Sequence, residues 1–345
     1  MKILFTGGLG FIGSHTAVTL LENGYDVIIV DNLSNSKEDT LKKIEKITGK
    51  SAKFYNIDIC NRQDFEKVFA ENKDIFAVIH FAGYKAVGES VKEPLKYYEN
   101  NMISTFNLLE LMKKYNVKNA IYSSSATVYE PAKVMPIDES YPLGATNPYG
   151  RTKLFNEYVF KDFWNANKDF NITMLRYFNP IGAHSSGLLG EDPNGIPNNL
   201  MPYICKVATG KLDSLKIFGN DYKTKDGTGV RDYIHIMDLA DGHLKALNQI
   251  EKNQNNGLKI YNLGTGKGYS VLDIVKTFNK VNGNLVKYKF VPRRSGDIDE
   301  CYASAKKAEN ELGFKATRTL EDMCRSSYLY ELNNLDDKNL LNNKK

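Results

Sequence analysis

An apolar run, Lys2-Ile3-Leu4-Phe5-Thr6, leads directly into Gly7-Gly8-Leu9-Gly10-Phe11-Ile12-Gly13-Ser14-His15, and this junction constrains the fold more than any other feature of the chain. Glycines spaced G-x-x-G-x-x-G between a strand and a helix meet the requirements of a phosphate-binding turn. Gly7 permits the tight turn, Gly10 lets backbone amides approach a pyrophosphate at the helix N-terminus, and Gly13 lets helix and strand pack closely. Three glycines can also make a turn and nothing more. Asp31 supplies the second half of the pattern: it closes the next apolar run, 26–31 (DVIIVD), 18 residues after Gly13. A carboxylate about 20 residues on is placed to meet a ribose. No arginine occurs from Asn32 to Ser36 to compensate a 2′-phosphate, so NAD is favoured over NADP.

Short apolar runs at 2–6, 26–31, 53–57, 75–81, 119–124 and 172–178 alternate with helical periodicity near 11–23, 37–48, 62–72, 94–115 and 149–167. Runs without polar alternation are buried on both faces, which predicts an α/β fold with a doubly wound parallel sheet covered by helices. Beyond residue 179 the rhythm breaks into Gly/Pro/Asn-rich loops, short strands and helices near 198–209, 237–250 and 270–280, the mark of a smaller α/β C-terminal lobe. Residues 232–264 again read as helix then strand, so the two units should interleave. The expected division is 1–178 with about 232–264 for the nucleotide, 179–231 with about 265–332 for the substrate, and a polar tail, 333–345, that frays.

Composition excludes several classes. The 46 basic and 41 acidic residues leave a net +5, too small and too scattered for a nucleic-acid binder. No segment approaches the ~18 consecutive apolar residues of a membrane span, and the early glycines interrupt the one N-terminal run that resembles a leader. Cys60, Cys205, Cys301 and Cys324 contain no CxxC pair and read as free thiols in a cytoplasmic protein. The five histidines show no metal-ligand spacing, so no metal is expected.

Tyr149-Gly150-Arg151-Thr152-Lys153 sets a phenol and an ammonium four residues apart, on one face of a helix that begins after Pro148. A free tyrosine titrates near pH 10, and neighbouring positive charge brings its phenolate toward working pH. Ser123-Ser124-Ser125-Ala126-Thr127 closes the fifth apolar run, at the carboxyl edge where open α/β sheets bind ligands.

Taken in order, TGGLGFIGSH, DNLSNS (31–36), FAGYKAVGES (81–90), SSSATVY (123–129), NPYGRTK (147–153), RYFNPIGAH (176–184) and GTGVRDYIHIMDLADGH (227–243) resemble the extended short-chain dehydrogenases, specifically the UDP-glucose (UDP-galactose) 4-epimerases. The resemblance spans about 1–330 and implies a Rossmann domain with NAD as a retained cofactor, a UDP-sugar as the small-molecule partner and a homodimer. By this resemblance Tyr149 takes the proton of the sugar 4-hydroxyl while hydride passes to NAD, Ser125 hydrogen-bonds the same oxygen, and Lys153 holds the nicotinamide ribose and tunes Tyr149. The 4-keto sugar then turns over and is reduced from its other face. The NAD site would comprise Gly7, Gly10, Phe11, Ile12, Gly13, Asp31, Asn32, Asn35, Ser36, Asp58, Ile59, Phe81, Ala82, Gly83, Lys85, Asn100 and Phe178 together with the catalytic three. For the UDP-sugar the resemblance implies Lys85, Asn179, Asn199, Leu200, the run Lys216-Ile217-Phe218, Arg231, Arg294, Asp297 and Cys301 beside Ser125 and Tyr149, the arginines serving as forks for pyrophosphate oxygens.

A sugar-nucleotide 4,6-dehydratase shares the glycine turn and the Tyr-Lys pair but needs a carboxylate just after the Ser125 position, where this chain has Ala126 and Thr127. A binding-only protein on the same fold is disfavoured because Ser125, Tyr149 and Lys153 are all present. The chain departs from the family pattern at Glu130, where glycine is usual, and in a slightly shortened 130–146 loop. Cys301 matches the position bordering the sugar C2 substituent, where a small residue leaves room for an acetamido group; a slip of one residue would put Tyr302 there instead.

Overall fold

The computed structural model describes residues 1–342 except 194, 196, 253–256 and 295–296, with side chains described through 335. The strands β1 (Lys2–Thr6), β2 (Asp26–Asp31), β3 (Lys53–Asn56), β4 (Ile75–His80), β5 (Asn119–Ser125) and β6 (Asn171–Tyr177) fall where the apolar runs predict them. Between them lie α1 (Phe11–Glu22), α2 (Asp39–Thr48), α3 (Arg62–Glu71), α4 (Val87–Lys92), α5 (Pro94–Lys114) and α6 (Pro148–Ala166). The chain continues through β7 (Asn179–Ile181), α7 (Leu200–Ala208), β8 (Leu215–Phe218), β9 (Val230–Arg231), β10 (Tyr233–His235), α8 (Ile236–Glu251) and β11 (Leu258–Leu263). It ends with β12 (Tyr269–Ser270), α9 (Val271–Asn282), β13 (Tyr288–Val291), β14 (Glu300–Cys301), α10 (Lys306–Leu312) and α11 (Leu320–Asn342).

Seven parallel strands form the main sheet in the order β11-β6-β5-β4-β1-β2-β3. Burial on both faces explains the absence of alternation in the runs. Ile3, Phe5, Val27, Ile29 and Ile79 pack against α1 and α8 on one side, while Leu4, Ile28, Val30, Val78 and Ala120 join a second core under α3, α5 and α6 on the other. The central residues of such strands are mostly apolar because neither face meets water, and the polar ones, such as Ser123, Ser124 and Arg176, are buried near the carboxyl ends. The strand order reverses between β1 and β4, and their carboxyl ends open a crevice at that switch point.

Beyond the sheet, β8 pairs with β13, β9 with β12 and β14, and β7 with β10. A separate core of Met201, Ile204, Leu215, Ile217, Ile274, Phe278 and Met323 fills the space among α7, α9 and α11. Polar composition predicts fraying from residue 333, whereas α11 continues to Asn342. Its first turns are anchored by buried Met323 and Cys324, and a nucleated helix extends at the cost of ordering one residue per added hydrogen bond. Residues 343–345 lie outside the described residues. Among the described residues no helix is long and apolar enough to cross a membrane, and all four cysteines are free.

Candidate active site

A cavity of about 1060 Å³ runs from the glycine turn, along the carboxyl ends of the sheet strands, to Arg231, Tyr233, Asp297 and Cys301 in the smaller lobe. Every residue assigned above to the NAD site lies on its wall. Gly7 turns the chain at φ +70°, and a Cβ there would stand 2.8 Å from the Ala82 backbone. Gly10 precedes α1 with no side-chain cap, leaving the helix amides free for an anion. Gly13 departs from its assigned part: a Cβ would meet Gly7 O and Gly8 Cα at 2.7 Å, so it packs on the turn itself, and Gly8 is the residue pressed against the strands through Ile29 and Phe5.

Asp31 is buried at the end of β2, where Oδ2 accepts from Leu9 N at 3.0 Å and Oδ1 from Leu33 N at 3.0 Å and Ser36 Oγ at 2.7 Å. One carboxylate therefore ties the glycine turn to the loop after β2. On the far side of β2, Asp58 accepts from Cys60 N at 2.9 Å, which turns the chain so that Ile59 seals the cavity floor.

Helix α6 carries the acid/base pair. Asn147 caps it by accepting from Gly150 N at 2.9 Å, with Pro148 in the first turn. Tyr149 is 8% exposed, and burial pushes its phenol above the ordinary tyrosine value; hydrogen bonding from Ser125 and the Lys85 ammonium work against that rise. Lys153 donates to Ser123 O at 2.7 Å, and burial brings its ammonium down to about 8. Lys85 is thus an ammonium that opposes the rise at Tyr149, while Lys153, one helical turn along, is hydrogen-bonded to the strand carbonyl beneath it. Ser125 Oγ accepts from Thr127 N at 3.2 Å and Thr127 Oγ1 at 3.0 Å, leaving its own proton free to donate.

In the substrate half, Asn179, Asn199, Leu200, Arg231, Asp297 and Cys301 line the cavity with Lys85, Ser125 and Tyr149. Arg231 is paired with Asp297 at 2.5 Å. Cys301 lies on the wall and Tyr302 off it, and burial raises the Cys301 thiol to about 11, so it is a small neutral group. Four assigned residues are not brought to the wall. Ile217 points into the smaller lobe's core, Lys216 is exposed on the opposite side of β8, and the Arg294 guanidinium covers the Phe218 ring at 3.9 Å. Strand alternation is the reason for the first two: consecutive residues of β8 cannot share a face.

The sequence reading missed several wall residues. Glu191 accepts from Lys85 Nζ at 3.0 Å and Asn199 Nδ2 at 2.6 Å, and Asp192 pairs with Lys37, so a strap between β7 and α7 reaches both ends of the cavity. Lys43, Tyr84 and Tyr330 also line it. Tyr84 falls inside the run FAGYKAVGES, whereas no period or motif marks the other positions, which loop and helix packing brings in. Glu130, the departure from the family pattern, lies on the wall as well, and Gly144 packs directly beneath its side chain. His15, His80, His235 and His243 are buried and held well below the ordinary histidine value by desolvation, so they stay neutral.

A family model described as GDP-mannose 4,6 dehydratase matches residues 4–327. The UDP-glucose 4-epimerase of Bacillus subtilis (strain 168) is 56% identical over 336 residues, covering 97% of this chain and 98% of that protein. A crystal structure of UDP-glucose 4-epimerase from Bifidobacterium longum in complex with NAD+ and UDP is 54% identical, with TM-score 0.93, covering 97% of this chain and 99% of that one. The UDP-glucose 4-epimerase structure from Stenotrophomonas maltophila, with bound NAD and formylated UDP-arabinopyranose, is 44% identical, with TM-score 0.95 and coverage of 98% and 99%.

Proposed function

The chain belongs to the UDP-glucose 4-epimerases of the extended short-chain dehydrogenase/reductase family, and from that premise we propose that it retains NAD and interconverts UDP-glucose and UDP-galactose through a 4-keto sugar. One observation carries the reading: the Tyr149 phenol, Ser125 hydroxyl and Lys85 ammonium converge on a cavity that begins at the glycine turn. The turn suits a dinucleotide because only residues without a Cβ at Gly7 and Gly13 let it close this tightly beneath the cavity, and the α1 N-terminus is uncapped. Phe11 and Ile12 would hold the pyrophosphate, Asp31 the ribose hydroxyls, Asp58 and Ile59 the adenine, and Lys153 the nicotinamide ribose. Asp31 next to the adenine-side ribose would repel a 2′-phosphate.

NAD, when bound, supplies the hydride acceptor and donor. Tyr149 takes the proton of the sugar 4-hydroxyl and returns it to the same oxygen, and Ser125 donates to that oxygen throughout. Lys85 and Arg231 meet the diphosphate, exchanging Glu191 and Asp297 for phosphate oxygens. Ala126 and Thr127 offer no carboxylate for eliminating water across C5 and C6, which separates this chain from the dehydratases for which the family model is named. In this reading residues 1–178 with about 232–264 carry NAD, and 179–231 with about 265–332 carry the UDP-sugar. We read the protein as a cytoplasmic homodimer, supported by its unpaired thiols and by an exposed apolar face, Val91, Leu95, Ile103, Phe106, Phe155 and Tyr158, across α4, α5 and α6.

The test is made on purified protein. Denatured supernatant is expected to contain NAD, native protein to convert UDP-galactose to UDP-glucose without added cofactor, and sedimentation to report twice 39.0 kDa. Absence of NAD together with no activity on adding it would overturn the assignment.

A small neutral Cys301 on the cavity wall supports turnover of UDP-N-acetylglucosamine and UDP-N-acetylgalactosamine as well. Cys301→Tyr is expected to remove turnover of the acetamido sugars and spare UDP-galactose. Steady-state rates on both pairs decide it; a wild type inactive on the acetamido sugars sinks the idea.

A further inference from the structure

Helix α6 presents Tyr149, Lys153 and Glu157 at i, i+4 and i+8, a single buried stripe laid against the end of β5. Each member meets one serine of that strand end: Ser125 opposes the rise of the Tyr149 phenol, Lys153 donates to Ser123 O at 2.7 Å, and Glu157 Oε1 accepts from Ser124 Oγ at 2.5 Å. Glu157 is also gripped by the fully buried Arg176, whose Nε donates to Oε1 at 2.9 Å and whose NH2 donates to Oε2 at 2.6 Å. Arg176 lies opposite Ser124 in the β5–β6 ladder, so the carboxylate spans helix and both strands at one level. Its NH1 reaches Tyr129 Oη at 3.0 Å, and Tyr129 in turn donates to Asn262 Oδ1 at 2.7 Å in β11. The acid/base reaction as derived above uses neither Glu157 nor Arg176. A buried ion pair is poor evidence for stability, since apolar residues of the same volume serve as well.

We propose that Glu157 is a positioning residue for the catalytic stripe: it sets the register of α6 on β5 through Ser124, so that Tyr149 meets Ser125, and it supplies the negative charge that keeps Lys153 an ammonium. This rests on the epimerase reading. Among the described residues, Lys153 faces neutral His80 from β4, the Tyr122 ring from β5 at 5.0 Å, and Tyr149 and Glu157 from its own helix, with Arg176 behind Glu157. Burial lowers the Lys153 value and the Glu157 carboxylate, one helical turn on, opposes that fall. Loss of that charge therefore lets Lys153 deprotonate earlier as pH rises.

Glu157→Gln by itself strands the Arg176 charge in the core, so the experiment uses Glu157→Gln/Arg176→Met, which removes both charges at similar volume, alongside Ser124→Ala, which keeps the ion pair. Wild-type turnover of UDP-galactose is the baseline, and an inactive wild type would sink the epimerase reading itself. In the double variant the alkaline limb of kcat is expected to move down by about half a pH unit, less than for a single lost charge because the Arg176 charge leaves with that of Glu157, with NAD content unchanged. In Ser124→Ala, kcat is expected to fall about 10-fold with KM for UDP-galactose within about twofold, since a misplacement of ~1 Å costs up to ~10²-fold. A double variant that folds, retains NAD and keeps the wild-type alkaline limb overturns the electrostatic part, and wild-type kcat in Ser124→Ala overturns the positioning part. Should the double variant not fold, the Ser124→Ala result decides.

Discussion

Tyr149→Phe is expected to keep the fold and its NAD while kcat for UDP-galactose drops by at least ~10²–10⁴, the usual worth of one general acid/base group. The substitution removes one oxygen from a side chain only 8% exposed, so the ring still fills its place behind the Asn147 cap. What disappears is the group that moves the sugar proton. Ser125 is an unsuitable replacement, because its oxygen already accepts twice from Thr127 and an alcohol is a far weaker acid than a phenol. The pH dependence follows from the same burial. The phenol is raised above its ordinary value, so the phenolate is scarce at neutral pH and the wild-type rate should climb as pH rises, a limb that Tyr149→Phe loses. Retention of near-full activity by the variant, with NAD bound, would remove Tyr149 from the mechanism.

The second large effect is at the turn. Gly13→Ala is expected to cost most of the bound NAD, because the new Cβ lies 2.7 Å from Gly7 O and Gly8 Cα, both backbone atoms that move only if the turn opens. Overpacking of this kind costs ~1–3 kcal/mol, which corresponds to about 5- to 150-fold in affinity if it falls on the bound conformation. Gly88→Ala is the control, since nothing stands within 4 Å of a Cβ there. NAD content per chain, measured after denaturation, separates the two. Equal NAD in both variants would mean that the turn does not hold the dinucleotide.

The first half of the molecule was legible residue by residue because its signals are local. The absence of alternation in 2–6 and 26–31 reports burial on both strand faces, and the four-residue interval from Tyr149 to Lys153 reports one helix face whatever the helix packs against. Gly13 shows where local reading ends: its spacing marks the turn, but contact with Gly7 and Gly8, in place of a strand, appears only once the turn is closed.

The smaller lobe was legible mainly as a set of loops. Glu191 reaches Lys85 across 106 positions of sequence, and Arg231 reaches Asp297 across 66, with neither pair announced by a period or a motif. The run Lys216-Ile217-Phe218 reads as one binding segment, yet strand alternation sends Ile217 into the core and Lys216 to solvent. Cys301 and Tyr302 are neighbours of equal standing in the sequence, and the pairing of β14 with β9 puts only the cysteine on the cavity wall. Strand burial, helix faces and the glycine turn depend on interactions within a few residues, so the sequence alone determined the parallel α/β fold and the Ser125, Tyr149, Lys153 constellation. Which carboxylates face Lys85, Arg231 and Lys153 depends on loops and strands meeting at long separation, where side-chain direction and charge pairing are set by packing, and only the tertiary structure decided them.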